Sequence, residues 1–154
     1  MMARRKLRLR TWQSQHYASH VLLDHFGVNV PDLGIAREYY DQIMPLFGFE
    51  LCGSGEDWFG YRPSSEDSGA RLIFNTAPEA GSYSRYRPGL QHIAFRVGSR
   101  EEVRALHEWA LAHGSEIVNE PRLWTEYHPD YYAVFWLDPN GFKLEAFCLA
   151  PSED

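Results

Sequence analysis

Two stretches of this sequence place a histidine in the same setting. His25 stands in "LDHFGVNV" (residues 23–30) and His92 in "LQHIAFRV" (residues 90–97), at an offset of 67. Both stretches alternate as strands do. Phe26, Val28 and Val30 share one face, and His25, Gly27 and Asn29 the other. Ile93, Phe95 and Val97 likewise oppose His92, Ala94 and Arg96. The apolar triplets want a core, so each imidazole lies on the face turned away from it. A carboxylate joins them near the C-terminus, in "DPNGFKLEAF" (residues 138–147). Asp138 to Gly141 is turn chemistry, with Pro at the second position and Gly at the fourth. Beyond the turn Phe142, Leu144 and Ala146 point one way, and Lys143, Glu145 and Phe147 the other. Glu145 therefore also faces away from the core. Two imidazoles and one carboxylate make a facial triad for a divalent first-row ion, Fe(II), Mn(II), Ni(II) or Zn(II). A structural zinc usually takes four ligands.

Other residues could act on a substrate held there. Glu145 could carry a proton if it detaches transiently. Arg96 shares the face of His92 and could stabilise an oxyanion or pair with an acid. Tyr127 and His128, in "TEYHPDYY", lie on a loop before a strand and could line the pocket; Asn29 and Arg71 are weaker candidates. His16, His20, His107 and His113 read as ordinary surface histidines. Trp58, Tyr61, Trp124 and Trp136 read as core or dimer interface.

These side chains need elements to position them. After each histidine strand comes a helical pattern. Leu33, Ala36, Tyr39, Tyr40, Ile43 and Phe47 form the first apolar stripe, which Pro45 must kink or end. Val103, Leu106, Trp109, Ala110 and His113 form the second, opened by a Ser99/Glu102 capping box. Gly48 and Gly114 stand where helices stop. Three strand candidates follow each helix: 49–52, 58–61 and 71–75, then 116–118, 131–137 and 142–149. Each half thus reads β-α-β-β-β. The division is a basic extension over 1–20, modules over 21–76 and 90–149, a linker over 77–89 and a tail over 150–154. The fold class is α+β, with mixed sheets that carry helices on one side and a concave face on the other.

Composition narrows the function. A chain of 154 residues suits one domain or two small modules sharing a core. Five of the 15 basic residues fall in the first ten positions, an arm read as a tail, an extension or a targeting peptide. From residue 11 onward 10 basic residues face 21 acidic ones, a balance of -11 that argues against nucleic acid as the partner. The longest apolar run, "YYAVFWL", is too short to span a membrane. Two cysteines, Cys52 and Cys148, form no disulfide framework and suggest a reducing, cytoplasmic setting.

The paired βαβββ pattern, with "GLQHIAFRV" and "YYAVFWLDPNGFKLEAF", resembles the vicinal oxygen chelate superfamily over residues 21–149. That group includes glyoxalase I, extradiol dioxygenases, fosfomycin-resistance proteins and bleomycin-binding proteins. The resemblance implies His25, His92 and Glu145 as ligands of a divalent metal that chelates vicinal oxygens of a small substrate. It implies ring-opening dioxygenation, isomerisation through an enediolate or opening of an epoxide. With five tryptophans and open sheets, it also implies a homodimer. The family's fourth ligand, when present, is an acid on the last strand of the first module. Here that place falls on Ile73, or on Phe74 after a one-residue slip, and neither can ligate. A metal-free binding protein of the bleomycin-sequestering type is the alternative. It would use the same fold and an aromatic groove.

Overall fold

The structure, a computed structural model, describes residues 23–65 and 70–149. The basic arm, His16 and His20 lie outside these residues. The first strand, β1, is His25–Val30. Helix α1, Leu33–Ile43, follows, with Asp32 as its N-cap accepting from the Ile35 amide at 2.9 Å. Pro45 does end the α-helix: Met44–Phe47 tightens into a 3-10 turn closed by Gly48 at φ 73°. Strands β2 (Phe49–Ser54), β3 (Trp58–Pro63) and β4 (Arg71–Thr76) complete the first module.

The second module repeats the order. It runs β5 (Ile93–Arg96), α2 (Arg100–Ala112), β6 (Ile117–Leu123), β7 (Tyr131–Leu137) and β8 (Lys143–Leu149). Ser99 caps α2 by accepting from the Glu102 amide at 3.1 Å. Glu102 reaches one residue further back than a standard capping box requires, to the Gly98 amide at 2.6 Å. Strand β6 extends well past the expected 116–118, through Pro121. An edge strand tolerates that proline, because one row of its backbone groups needs no ladder partner.

Both sheets have the same mixed topology. The strand orders are β1-β4-β3-β2 and β5-β8-β7-β6, and the first pair in each is parallel. Helix-facing sides of both sheets share one core. Ala36, Tyr39, Tyr40 and Ile43 of α1 and Val103, Leu106 and Ala110 of α2 meet Val28, Val30, Phe74, Phe95, Trp136 and Leu144. Burying one such large side chain stabilises the fold by about 1.5–3 kcal/mol.

Polar contacts pin the modules together inside that core. The Trp136 indole donates to the Tyr39 hydroxyl at 2.8 Å, and the Tyr40 hydroxyl donates to Asp138 at 2.9 Å. Phe47 stacks on Phe95 with centroids 4.1 Å apart. Asp138 also accepts from the Phe142 and Asn140 amides, which fixes the β7–β8 turn. Because the core lies between the modules, the opposite face of each sheet turns outward. His25, Gly27 and Asn29 lie on one such face, and His92, Ala94 and Arg96 on the other, all exposed.

Candidate metal centre in the second module

Glu145 sits near the middle of β8, on the face away from Leu144 and Ala146, yet only 2% of it is exposed. Its cover comes from β7, which pairs with β8 so that Phe135 stands opposite Glu145. The Tyr131 hydroxyl donates to Glu145 Oε1 at 2.6 Å. His92, just before β5, sets its Nε2 at 3.1 Å from Glu145 Oε2. Burial raises the Glu145 pKa, while Tyr131 and His92 oppose the rise. Burial likewise raises the Tyr131 pKa, so the phenol stays a donor. Gln91, His92, Tyr127, Tyr131, Phe135, Lys143 and Glu145 enclose a cleft of about 330 Å³. Two other hollows, of about 380 and 530 Å³, lie along residues 77–90. Their linings offer one cation, Arg87, and one acid, Glu79, but no imidazole.

The contacts around His92 set which nitrogen faces Glu145. Its Nδ1 meets the side-chain carbonyl oxygen of Gln91, which can only accept. With Nδ1 turned to Gln91, Nε2 is the nitrogen that faces the Glu145 carboxylate. An imidazole nitrogen and a carboxylate oxygen 3.1 Å apart share a cation between them, either a proton or a metal. Metal bonds of about 2.0–2.1 Å at right angles put neighbouring donors about 3 Å apart, so the spacing fits a metal.

His25 has the same local arrangement on the other module. Its Nδ1 lies 2.6 Å from Asp24 Oδ1, which leaves Nε2 free. Asp24 also accepts from Arg71, and these two bonds, that of His25 first, hold its carboxyl below the usual range. A carboxylate or carbonyl behind the far nitrogen is the usual support of a metal-binding imidazole. His25 does not reach the His92–Glu145 cleft, whose lining is drawn from the second module alone. Among the described residues, no cluster of three His, Cys, Asp or Glu forms within one chain.

The remaining candidates separate in space. Tyr127 lines the cleft and stacks on Trp124, with centroids 5.9 Å apart. His128 accepts from the Asp130 amide at 3.1 Å and does not line it. Arg96 is exposed at the end of β5, also outside the lining. His107 pairs with Glu120 at 2.7 Å, and His113 bonds the Trp109 carbonyl at 2.7 Å. The register decides between Ile73 and Phe74. Gly27 pairs with Ile73 as Ala94 pairs with Glu145, and Phe74 is fully buried in the core. Ile73 thus holds the place of a first-module acid. Sequence reasoning missed Gln91, Tyr131, Phe135 and Lys143. Lys143 carried a signal, since it shares the face of Glu145 two residues away.

Comparison with known proteins agrees with this architecture. Residues 22–146 match the family model described as the Glyoxalase/Bleomycin resistance protein/Dioxygenase superfamily. The uncharacterized protein YqjT of Bacillus subtilis (strain 168) is 30% identical over 138 residues, covering 84% of this chain and 99% of YqjT. A Bacillus halodurans protein of solved structure is 28% identical, with a TM-score of 0.69 over 82% of this chain and 94% of its own. The fosfomycin resistance protein FosX of Listeria monocytogenes shares the fold, with a TM-score of 0.62 at 20% identity. That match covers 84% of this chain and 93% of FosX. The chain belongs to the Glyoxalase/Bleomycin resistance protein/Dioxygenase superfamily.

Proposed function

We propose that this member of the superfamily is a metal-dependent enzyme whose His25, His92 and Glu145 hold a divalent ion that chelates two neighbouring oxygens of a small substrate. One observation carries the reading: His92 Nε2 stands 3.1 Å from a buried Glu145 oxygen, with Nδ1 turned to Gln91. When bound, the ion would supply Lewis acidity to substrate oxygens as negative charge develops on them.

The chain's own residues do the rest. Tyr131 keeps Oε1 of Glu145 engaged, so Oε2 is the oxygen offered to a ligand. Gln91 and Asp24 hold the two imidazoles with Nε2 forward. Phe135 and Tyr127 wall the cleft. Glu145, if released from the ion, is the group placed to move a proton. Three protein donors leave positions for a chelating substrate and for O₂ or water. Ring-opening dioxygenation, isomerisation through an enediolate and epoxide opening are all compatible with that count. The likeness to FosX keeps resistance chemistry on a small antibiotic among them.

His25 joins the other two from a second copy of the chain. The support is threefold. The open faces of both sheets turn away from the shared core, the cleft draws on one module, and β1 and β5 are edge strands. Mixing His25→Ala and Glu145→Gln chains tests this. In a mixed dimer one site pairs an intact His25 with an intact His92 and Glu145. A statistical mixture should then recover about a quarter of wild-type metal, although each variant alone binds little. No recovery on mixing refutes the shared site. A metal-free wild-type protein, purified without chelators and analysed by mass spectrometry, refutes the metal reading and leaves a binding protein of the bleomycin type.

A further inference from the structure

Lys143 lies in the same cleft as Glu145, the acid that attracts it. Its Nζ stands 4.7 Å from the Phe135 ring centroid. Among the described residues no carboxylate is ion-paired with it. The corresponding cation of the first module is differently placed. Arg71 stands beside His25 in the β1–β4 register, two residues before Ile73, as Lys143 stands two residues before Glu145. Arg71 is bonded to Asp24, so its charge is answered locally. The repeat thus yields one cation bonded to its acid and one whose neighbouring acid is a proposed metal ligand.

The charge of the cleft follows from its lining. Gln91, Tyr127, Tyr131 and Phe135 are neutral, leaving Glu145 and Lys143 as the only fixed charges. A divalent ion there would spend one of its charges on Glu145, and the cleft would remain positive by two with Lys143 counted. This holds in a chain of formal net charge -6. With Glu145 holding the ion, a neutral substrate would leave the half-buried Lys143 ammonium without a counter-charge of its own. A substrate carrying its own anion removes that cost.

We propose that Lys143 is a specificity-determining residue that holds an anionic oxygen group, carboxylate or phosphonate, of a substrate whose neighbouring oxygens are chelated at the metal. The inference rests on the proposed metal site and names the class of its substrate. Lys143 and Glu145 are an i, i+2 pair on one face of the strand, with backbones roughly 6.6 Å apart, so one small substrate can reach both. Phe135, between Lys143 and His92, favours a flat or apolar body over that span.

Calorimetric titration with matched probes tests this. Catechol, 3,4-dihydroxybenzoate and 3,4-dihydroxyphenylphosphonate share the chelating oxygens and differ in the anion. The Mn(II)-loaded protein should bind the two anionic probes about tenfold or more tighter than catechol. Lys143→Met should abolish the preference while Mn(II) still binds at least as tightly and catechol still binds, and Lys143→Arg should restore it. The stronger of the two anionic probes identifies the group. A preference that survives Lys143→Met, or no preference in the wild type, overturns the proposal and leaves the metal reading standing. A second arm needs no metal. In chelator-treated Glu145→Gln protein, 3,4-dihydroxybenzoate should bind more tightly than catechol and lose that advantage on adding Lys143→Met. If the wild type takes no metal but this arm succeeds, the metal reading falls and the anion site stands. If this arm fails while metal binds, Lys143 is not the anchor.

Discussion

Removing one oxygen from Tyr131 tests how Glu145 is held. Tyr131→Phe deletes the donor to Oε1 and keeps the ring stacked on Phe147, with centroids 4.7 Å apart and planes within 3°. The carboxylate is then free to turn, and Oε2 is no longer the oxygen set toward His92. A hydrogen bond to a charged group is worth about 1.5–3 kcal/mol. Glu145 is buried but Tyr131 is only half-buried, so the lower part applies, about 1.5–2 kcal/mol. That bond energy is a ceiling for either of two effects, a loss of metal affinity or a loss of metal-free stability. If the whole of it orients the ligand, metal affinity falls about 10- to 30-fold. Competition with a chromophoric chelator reads the affinity. Urea unfolding of the metal-free protein reads the stability, with the slope unchanged if compactness is unchanged. Affinity within about twofold of wild type, together with an unmoved urea midpoint, would show that Tyr131 does not hold Glu145.

Three further sets of outcomes are expected. Asp24→Ala and Gln91→Ala each free an imidazole Nδ1, and each should weaken metal binding about 10- to 100-fold without lowering the metal-free melting temperature by more than a few degrees. Equal metal affinity in either variant removes that residue from its positioning role. Tyr40→Phe should cost about 1.5–3 kcal/mol, because it strips a donor from a buried aspartate, and calorimetry should show the drop. The pH dependence of Asp138 has a definite sign. Burial raises its folded pKa above the usual aspartate value of 3.8, so the folded state binds the proton more readily than the unfolded state. Its contribution to stability is fully present below the unfolded pKa and is lost as pH rises through the raised folded one. Tyr40→Phe removes a bond that favours the carboxylate, so it should push that loss to higher pH. Asp138→Asn should erase it, and urea midpoints measured across the acid range report both.

The sequence by itself determined the two modules, their element order and the faces of His25, His92 and Glu145. Alternation with period two is a property of one strand and needs no partner, so parity alone turned those side chains away from the core. Pro45, Gly48, Ser99 and Gly114 marked helix ends for the same local reason, and the structure uses all four. Elsewhere the pattern was silent. In "YYAVFWL" both faces are apolar or aromatic, so nothing in the letters separated Tyr131 and Phe135, which face the cleft, from Trp136, which fills the core. The register between β1 and β4 resolved Ile73 from Phe74, and a register is fixed by strand pairing, not by one strand's pattern. The Tyr40–Asp138 bond joins residues 98 apart. The charges that face Lys143, Glu145 and Arg85, depend on what the fold brings near it. His25 stands on a different sheet from His92 and Glu145 because the helices and the core lie between the modules, so matching parity in two repeats does not bring their ligands together within one chain.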